Sequence, residues 1–540
     1  MSVKYIFVTG GVVSGLGKGI TAASLGRLFK ARGYKVTMQK FDPYLNMDPG
    51  MMNPMQHGEV FVTGDGAECD LDIGHYERFI NESLTKNANV TAGKIYWSVL
   101  NKERKGEYGG GTVQVIPHIT NEIKSKIYLG SKDLPKKEVE ISIIEIGGTV
   151  GDIESQPFIE AVRQFKHEIG PGNAINVHVT LMPYIKSSEE LKTKPTQMSV
   201  KTLQGMGLQP DIIVCRTEHE LDAGTKGKIA LFCNVPKENV ITNADVDTLY
   251  EVPIALEEEG IAEAALKALH LPAAKPNLTA WKKMISNWKN PKSEITIGLV
   301  GKYVAMHDAY LSVVEALRAA GAKHQVKVNI EWIDSEKITK STVNSLLKKL
   351  DGIIVPGGFG KRSIENIMLA VRYAREKKIP YLGICLGLQL AAIEFARNVL
   401  GLEDANSSEF NPHTKNPVID LLPEQIGIEV LGGTLRLGNY ECKLVKGTKV
   451  YKLYGETTIE ERHRHRYFVN NNYVPAMEEK GMIFPARSDN GRTVEMLELK
   501  DHPFFIATQC HPEFNSRPDH PRPLFDGFVA AMKKTARKIK

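Results

Sequence analysis

The chain has 540 residues, too many for a single hydrophobic core, so two or more domains are expected. Apolar residues make up 42% and charged residues 24%, which excludes a disordered or fibrous chain, and no run approaches the ~20 apolar residues that span a bilayer. A net charge of +6, from 69 basic and 63 acidic residues spread along the chain, suits small anionic ligands and argues against a nucleic-acid polymer or a membrane as partner.

Residues 2–10 run directly into a buried-type strand, Tyr5–Val8, with no separate apolar leader. Cysteines 69, 215, 233, 385, 442 and 510 lack C-x-x-C spacing, which predicts neither a disulfide framework nor a zinc site. Together these features predict a reducing compartment and a cytoplasmic protein. After a glycine-rich turn over 10–19 come a helix (Ile20–Ala31) and a strand (Val36–Phe41), the opening of a nucleotide-binding α/β domain. Strands at Ile141–Ile146, Ile175–Met182, Asp211–Cys215 and Asn239–Thr242, with helical stretches between them, predict a largely parallel sheet covered on both faces. Residues 271–292, with Pro272, Pro276 and Pro291, read as a linker. Strands at Ile295–Val300, Val326–Ile333, Gly352–Val355 and Pro380–Cys385, with a helix at Tyr310–Ala320, begin a second α/β series. The predicted domains are therefore 1–270 and 293–540. Residues 405–500 are strand-like without a clear order, and the basic stretch 533–540 reads as the solvated end of a helix.

The turn Gly10-Gly11-Val12-Val13-Ser14-Gly15-Leu16-Gly17-Lys18-Gly19 follows a strand and opens a helix, where backbone N–H groups converge on an anion and Lys18 reaches terminal phosphates. It departs from the common phosphate-loop pattern, because Val12 holds the first glycine position and Gly19 replaces the hydroxyl that ligates Mg²⁺. A metal there needs other oxygens, and Asp70, Asp72 and the strand-end Glu145 are candidates. The alternatives are a purely structural glycine turn and solvated loop acids; Lys18 and Lys40 nearby tip the balance to a metal–triphosphate site. In Leu191-Lys192-Thr193-Lys194-Pro195-Thr196-Gln197 two lysines precede a helix, either a second polyanion site or a solvated charged face.

Gly383-Ile384-Cys385-Leu386-Gly387-Leu388-Gln389 is a strand-to-helix turn of the kind that lifts a nucleophile above a sheet, with the helix N-terminus favouring a thiolate and the sulfur exposed. A small buried hydrophobe is the other reading of such a cysteine. Gln509-Cys510-His511-Pro512-Glu513-Phe514 favours the first. Pro512 pushes His511 toward extended backbone, on which His511 and Glu513 share a side, so that Cys385, His511 and Glu513 take the roles of nucleophile, base and orienter.

This pattern resembles the class I glutamine amidotransferases. The phosphate loop, Phe41-Asp42-Pro43-Tyr44, Gln56-His57-Gly58-Glu59-Val60-Phe61, Gly74-His75-Tyr76-Glu77-Arg78-Phe79, the string from Gly147 to Ser155, Lys192–Gln197 and Glu461-Arg462-His463-Arg464-His465-Arg466-Tyr467 are, together, similar to the CTP synthase family over nearly the full length. The resemblance implies a P-loop-like synthetase domain followed by a class I glutamine amidotransferase domain. It implies that Mg·ATP phosphorylates O4 of UTP and that ammonia from L-glutamine, carried through an internal passage, displaces the phosphate to give CTP. It places ATP at Ser14, Gly15, Leu16, Gly17, Lys18, Gly19, Ile20, Lys40 and Asp72, and Mg²⁺ on Asp72 and Glu145. UTP, and CTP as feedback inhibitor, fall at Ser14, Asp152, Ile153, Glu154, Lys192, Thr193, Lys194, Pro195, Thr196, Gln197, Lys228 and Phe232. Glutamine and its oxyanion fall at Gly357, Gly358, Phe359, Leu386, Gln389, Glu409 and Arg466. GTP is implied as activator near Lys302-Tyr303 and Asp308-Ala309-Tyr310, and the assembly as a homotetramer that in some members stacks into filaments. Gly15, Ser363, Asn366 and Cys510 depart from the residues common in the family. An amidotransferase with a different acceptor, of the dethiobiotin-synthetase type, and a non-enzymatic nucleotide sensor are the competing readings; Lys192–Gln197 argues against the first and the intact triad against the second.

Overall fold

The computed structural model describes residues 2–132, 138–422, 435–533 and 537–538. The remainder of the basic stretch 533–540 lies outside the described residues. The chain forms two compact units. The first holds the residues up to 51 and 69–279, and the second holds 52–68 and the residues from 280 onward. Segment 52–68, which by sequence falls inside 1–270, thus belongs to the unit built by the C-terminal half.

The first unit is a seven-stranded parallel sheet. Its strands are β1 (Lys4–Gly10), β2 (Val36–Asp42), β3 (Asn89–Thr91), β4 (Ile141–Ile146), β5 (Ala174–Leu181), β6 (Ile212–Thr217) and β7 (Val240–Ala244), in the order β7-β6-β5-β1-β4-β2-β3. β1, β2 and β4 are buried almost throughout, as near-continuous apolar runs such as Tyr-Ile-Phe-Val require when helices cover both faces. Four helices bear on the site: α1 (Lys18–Ala31), α2 (Leu71–Ile80), α3 (Lys194–Gly205) and α4 (Ala223–Cys233). β1 leads into the phosphate turn and β4 into the Gly147–Gly151 turn, so both turns lie at the carboxyl edge of adjacent strands, where open α/β sheets take ligands.

Residues 271–292 are not a plain linker, because Thr279–Lys289 is a helix, α5, with Trp281, Met284 and Ile285 buried. The sheet of the second unit is parallel over β8 (Ser293–Gly301), β9 (Val326–Asp334), β10 (Gly352–Val355) and β11 (Tyr381–Ile384). The region without clear order in the sequence supplies β12 (Arg436–Leu444), β13 (Thr458–His465), β14 (Met482–Ser488) and β15 (Val494–Leu499), and β16 (Phe505–Thr508) follows. The order is β9-β8-β10-β11-β16-β15-β14-β12-β13, with β11–β16 parallel and the strands beyond β16 antiparallel. Residues 537–538 pair antiparallel with β8. Helices α6 (Leu311–His324) and α7 (Leu386–Asn398) flank the site.

Segment 52–68 is tied into this unit by specific bonds. Glu59 accepts from Ser312 N (3.1 Å) and Ser312 Oγ (2.5 Å), capping the first turn of α6 with a carboxylate. Arg462 donates to Val62 O (2.8 Å), Asn439 N to Gly64 O (2.8 Å), and Arg464 pairs with Glu68 (2.8 Å).

Candidate active sites

In the first unit the chain leaves β1 through Val12, Gly15 and Gly17, all at positive φ, and enters α1 at Lys18. Lys18 Nζ donates to Gly148 O (2.5 Å), placing the amine between the phosphate turn and the turn after β4. Burial draws Lys18 below the ordinary lysine range, opposed by Glu145.

Lys40 at the centre of the acids donates to Asp70 (2.8 Å) and Asp72 (2.5 Å), with Asp42 at 3.5 Å. Burial works against its charge, but Asp42, Asp72, Asp70 and Glu145 outweigh burial and hold the ammonium well above its usual range. Burial and the charge of Asp72 push Glu145 up to about 7, and burial pushes Asp42 up to about 6. Tyr76 donates its hydroxyl to Glu145. Four carboxylates (Asp42, Asp70, Asp72, Glu145) thus face two ammonium groups (Lys18, Lys40), an excess that one divalent cation balances. A Cβ on Gly19 would lie 2.9 Å from Asp72 Oδ1 and 3.2 Å from Glu145 Oε2. Two carboxylates therefore converge where other phosphate loops carry a hydroxyl, and this oxygen set fits Mg²⁺.

The second lysine cluster opens α3, with Lys194 as its first residue and Pro195 in the first turn. Thr196 is buried against Thr180 Oγ1 (3.0 Å), and Gln197 Nε2 donates to Thr193 Oγ1 (3.1 Å), so these two residues shape the turn. Lys192 pairs with Glu190 (2.5 Å), and Lys228 on α4 also bears on that carboxylate, so Lys192 and Lys228 share one neighbourhood. Asp152 precedes a short helical turn, Ile153–Ser155, and Gly151 beside it packs toward Thr202 of α3. Ile153 is 82% exposed and Phe232 51% exposed.

In the second unit Cys385 stands between β11 and α7 at φ 53°, ψ −98°, the strained turn expected of a nucleophile. A Cβ on Gly387 would lie 2.4 Å from Val355 O, so only glycine lets the helix approach β10 so closely. Cys385 is not exposed as predicted: only 5% of its surface is accessible, at a cavity of about 70 Å³. The cavity wall holds His511, Glu513, Gly357, Gly358, Phe359 and Arg464, together with Pro54, Glu59 and Val60. Gln509 Nε2 donates to Cys385 Sγ (3.6 Å).

His511 Nδ1 and Glu513 Oε1 are 2.7 Å apart, as the triad requires, but the backbone differs from the extended segment predicted. Residues Pro512–Asn515 form a 3₁₀ turn with His511 at its cap, and Pro512 opens it. Burial lowers the affinity of His511 for a proton, yet Glu513 and Cys385 outweigh it and push the imidazole up to about 10. His511 Nε2 is buried without a hydrogen-bond partner among the described residues. A Cβ on Gly357 would sit 2.8 Å from His511 Cε1 and 3.6 Å from Cys385 Cβ, and one on Gly358 3.3 Å from Leu386 Cδ2, so the two glycines run past Cys385 and the start of α7. The Leu386 N–H opens α7 beside them as a first-turn donor.

Gln389 is buried, with Nε2 3.5 Å from Tyr467 O. Glu409 accepts from Gly360 N (3.1 Å); burial pushes it up, opposed by that N–H, Lys302 and Arg466. None of Gln389, Glu409 and Arg466 forms part of the cavity wall. Lys302 and Tyr310, expected near an activator, are buried: the Tyr310 hydroxyl accepts from Lys302 N (3.0 Å) and Tyr303 N (3.2 Å). Lys302 Nζ donates to Phe359 O (3.2 Å) and to Gly360 O, clamping the loop over Cys385. Burial draws this lysine down to about 8. Sequence patterns did not single out Lys302 as a clamp, Tyr76 as a partner of Glu145 or Gln509 as a partner of the sulfur; all three lie inside or beside recognised strings, and only the tertiary contact reveals their tasks.

The model of the CTP synthase N-terminus matches residues 4–271, and that of the class-I glutamine amidotransferases matches 305–531. The CTP synthase of Clostridium acetobutylicum is 59% identical, covering 98% of each chain, and that of Carboxydothermus hydrogenoformans is 60% identical, covering 98% of this chain and 99% of its own. Among solved structures, the glutaminase domain of the Trypanosoma brucei enzyme with bound acivicin is 36% identical over 44% of this chain and 94% of its own, with a TM-score of 0.43. No helix among the described residues is long and apolar enough to cross a membrane. With matches to both family models and relatives identical at about three residues in five over the full length, the chain belongs to the CTP synthase family.

Proposed function

We propose that this ligase, which aminates UTP to CTP with glutamine nitrogen, does so through a 4-phosphorylated UTP. The observation that supports this most directly is the convergence of Asp72 and Glu145 on Gly19 beside Lys18 and Lys40. Lys18 and the N–H groups of the phosphate turn hold the ATP phosphates, and Lys192, Lys194, Gln197 and Lys228 hold the UTP triphosphate. Mg²⁺, held by Asp72 and Glu145, supplies charge neutralisation on the phosphates.

In the other unit Cys385 Sγ attacks the glutamine amide carbon as a thiolate, its proton already resting on His511 Nε2 in an ion pair. The oxyanion takes the N–H groups of Leu386 and Gly358. His511 returns the proton to the departing nitrogen, ammonia leaves, and a thioester remains; water, deprotonated by His511, opens it to glutamate. Glu513 holds the ring and balances its charge. Ammonia then displaces phosphate from C4 of the activated UTP. Activation by GTP, feedback inhibition by CTP on the UTP triphosphate subsite through Asp152, Glu154 and Phe232, and a homotetramer complete the proposal.

UTP carrying ¹⁸O at O4 tests the intermediate: the label is expected in inorganic phosphate after one turnover with ammonia. Label released into water would refute phosphorylation at O4.

A further inference from the structure

Cys442 on β12, His463 on β13 and Glu495 on β15 are fully buried, and one ligand atom from each lies within 4.8 Å of the other two. The surrounding hydrogen bonds settle the tautomer. His465 Nδ1 is 3.0 Å from Tyr467 O, and a carbonyl only accepts, so Nδ1 carries the hydrogen. His465 Nε2 is then an acceptor, and His463 Nδ1, 3.0 Å away, donates to it. Burial lowers the proton affinity of both rings. His463 Nε2 is left with its lone pair, 4.0 Å from Cys442 Sγ.

Glu495 is fixed with equal care. Its Oε1 accepts from Arg436 (2.5 Å) and Thr493 Oγ1 (2.5 Å). Its Oε2 is buried without a hydrogen-bond partner among the described residues and lies 3.7 Å from His463 Nδ1, on the ring whose Nε2 is turned to Cys442. An unpartnered carboxylate oxygen in a core costs on the order of 1–3 kcal/mol unless something occupies it.

We propose that Cys442, His463 and Glu495 form a structural site for a soft divalent cation of the zinc class. The donor set of one sulfur, one imidazole nitrogen and one carboxylate oxygen is that of such ions, and the histidine already gives its second N–H to a fixed acceptor, as metal-binding imidazoles do. On binding, the Cys442 thiol gives its proton to solvent; the thiolate and the carboxylate then offset two of the three positive charges of the cation and Arg436, which stays on Oε1 beside the surface. The fourth position goes to water. A surface cavity of about 270 Å³ is lined by Arg436 and Thr493, the two side chains that hold Glu495 Oε1. The ion ties β12, β13 and β15 together, three strands whose ligand residues lie too far apart in sequence for a spacing motif.

The test is Co²⁺ titration of the full-length enzyme after chelation, reading the thiolate-to-cobalt absorption band. The expected result is one equivalent per chain in the wild type and in Cys385→Ala, loss of the band in Cys442→Ala, and its displacement by Zn²⁺. Glu495→Gln, which keeps the side-chain volume, is expected to weaken Co²⁺ at least about tenfold with an unchanged circular-dichroism spectrum. No band in the wild type, or a band that survives Cys442→Ala and vanishes in Cys385→Ala, would overturn the site and leave the cluster a hydrogen-bond relay.

Discussion

Replacing Glu513 by glutamine keeps an oxygen for His511 Nδ1–H at the observed 2.7 Å but removes the negative charge. An opposite charge at that range raises a histidine by about 1–3 units, worth about 1.4–4 kcal/mol. His511 stands at about 10, pushed there by Glu513 and Cys385 against the effect of burial. Without the carboxylate it should fall by about 1–3 units. The imidazolium that protonates the departing nitrogen exists below this pKa and is lost as pH rises through it. The alkaline limb of glutamine hydrolysis must therefore move to lower pH by about 1–3 units, with kcat/KM reduced roughly tenfold to a thousandfold at pH values above the wild-type limb and at most about twofold near neutrality. The assay is glutamate release against pH, with CTP formation from ammonium chloride as control. An unmoved alkaline limb, or an equal fall in the ammonia-supported reaction, would refute the role given to Glu513.

Cys385→Ala should abolish CTP formation from glutamine and leave that from ammonia; a loss of both, read as CTP absorbance, would show that the cysteine also serves the synthetase unit. Lys18→Ala should eliminate CTP formation from either nitrogen source while glutamate release persists. Gly19→Ala drives a methyl to 2.9 Å from Asp72 Oδ1 and should raise the Mg²⁺ concentration for half-maximal ammonia-dependent synthesis about tenfold; an unchanged Mg²⁺ titration would separate those carboxylates from the metal. Lys302→Met frees the carbonyls of Phe359 and Gly360 and should lower kcat for glutamine hydrolysis about tenfold, against a thermal midpoint shifted by only about 2–4 °C.

The elbow at Cys385 and the phosphate turn were legible because each is a local device, glycines at fixed offsets between a strand and a helix. The contact between His511 and Glu513 was predicted on the wrong backbone: Pro512 is as compatible with the first position of a helical turn as with extended chain, and the tertiary setting chose the turn. In α5 the prolines drew attention from Trp281, Met284, Ile285 and Trp288, whose i, i+3, i+4, i+7 spacing is that of an amphipathic helix bounded, not broken, by proline. The burial of Cys385 depends on residues brought over it from elsewhere, among them Pro54 and Val60, which no local pattern connects to the nucleophile. The Cys442 cluster was hidden for the same reason, since strands distant in sequence supply its three members.

Segment 52–68 also sets the timetable of biosynthesis. Val62 receives its bond from Arg462, 400 positions downstream, and Glu59 caps Ser312, 253 positions downstream. At about 5–20 residues per second, the segment leaves the ribosome roughly 20–80 s before Arg462 does. During that interval Phe61 and Val62, buried in the finished enzyme, lack the contacts that Arg462 makes to them. A fragment cut to begin at residue 293 would lack these residues altogether, leaving the ring of Phe514, which packs on Phe61 at 5.0 Å, open to water beside His511.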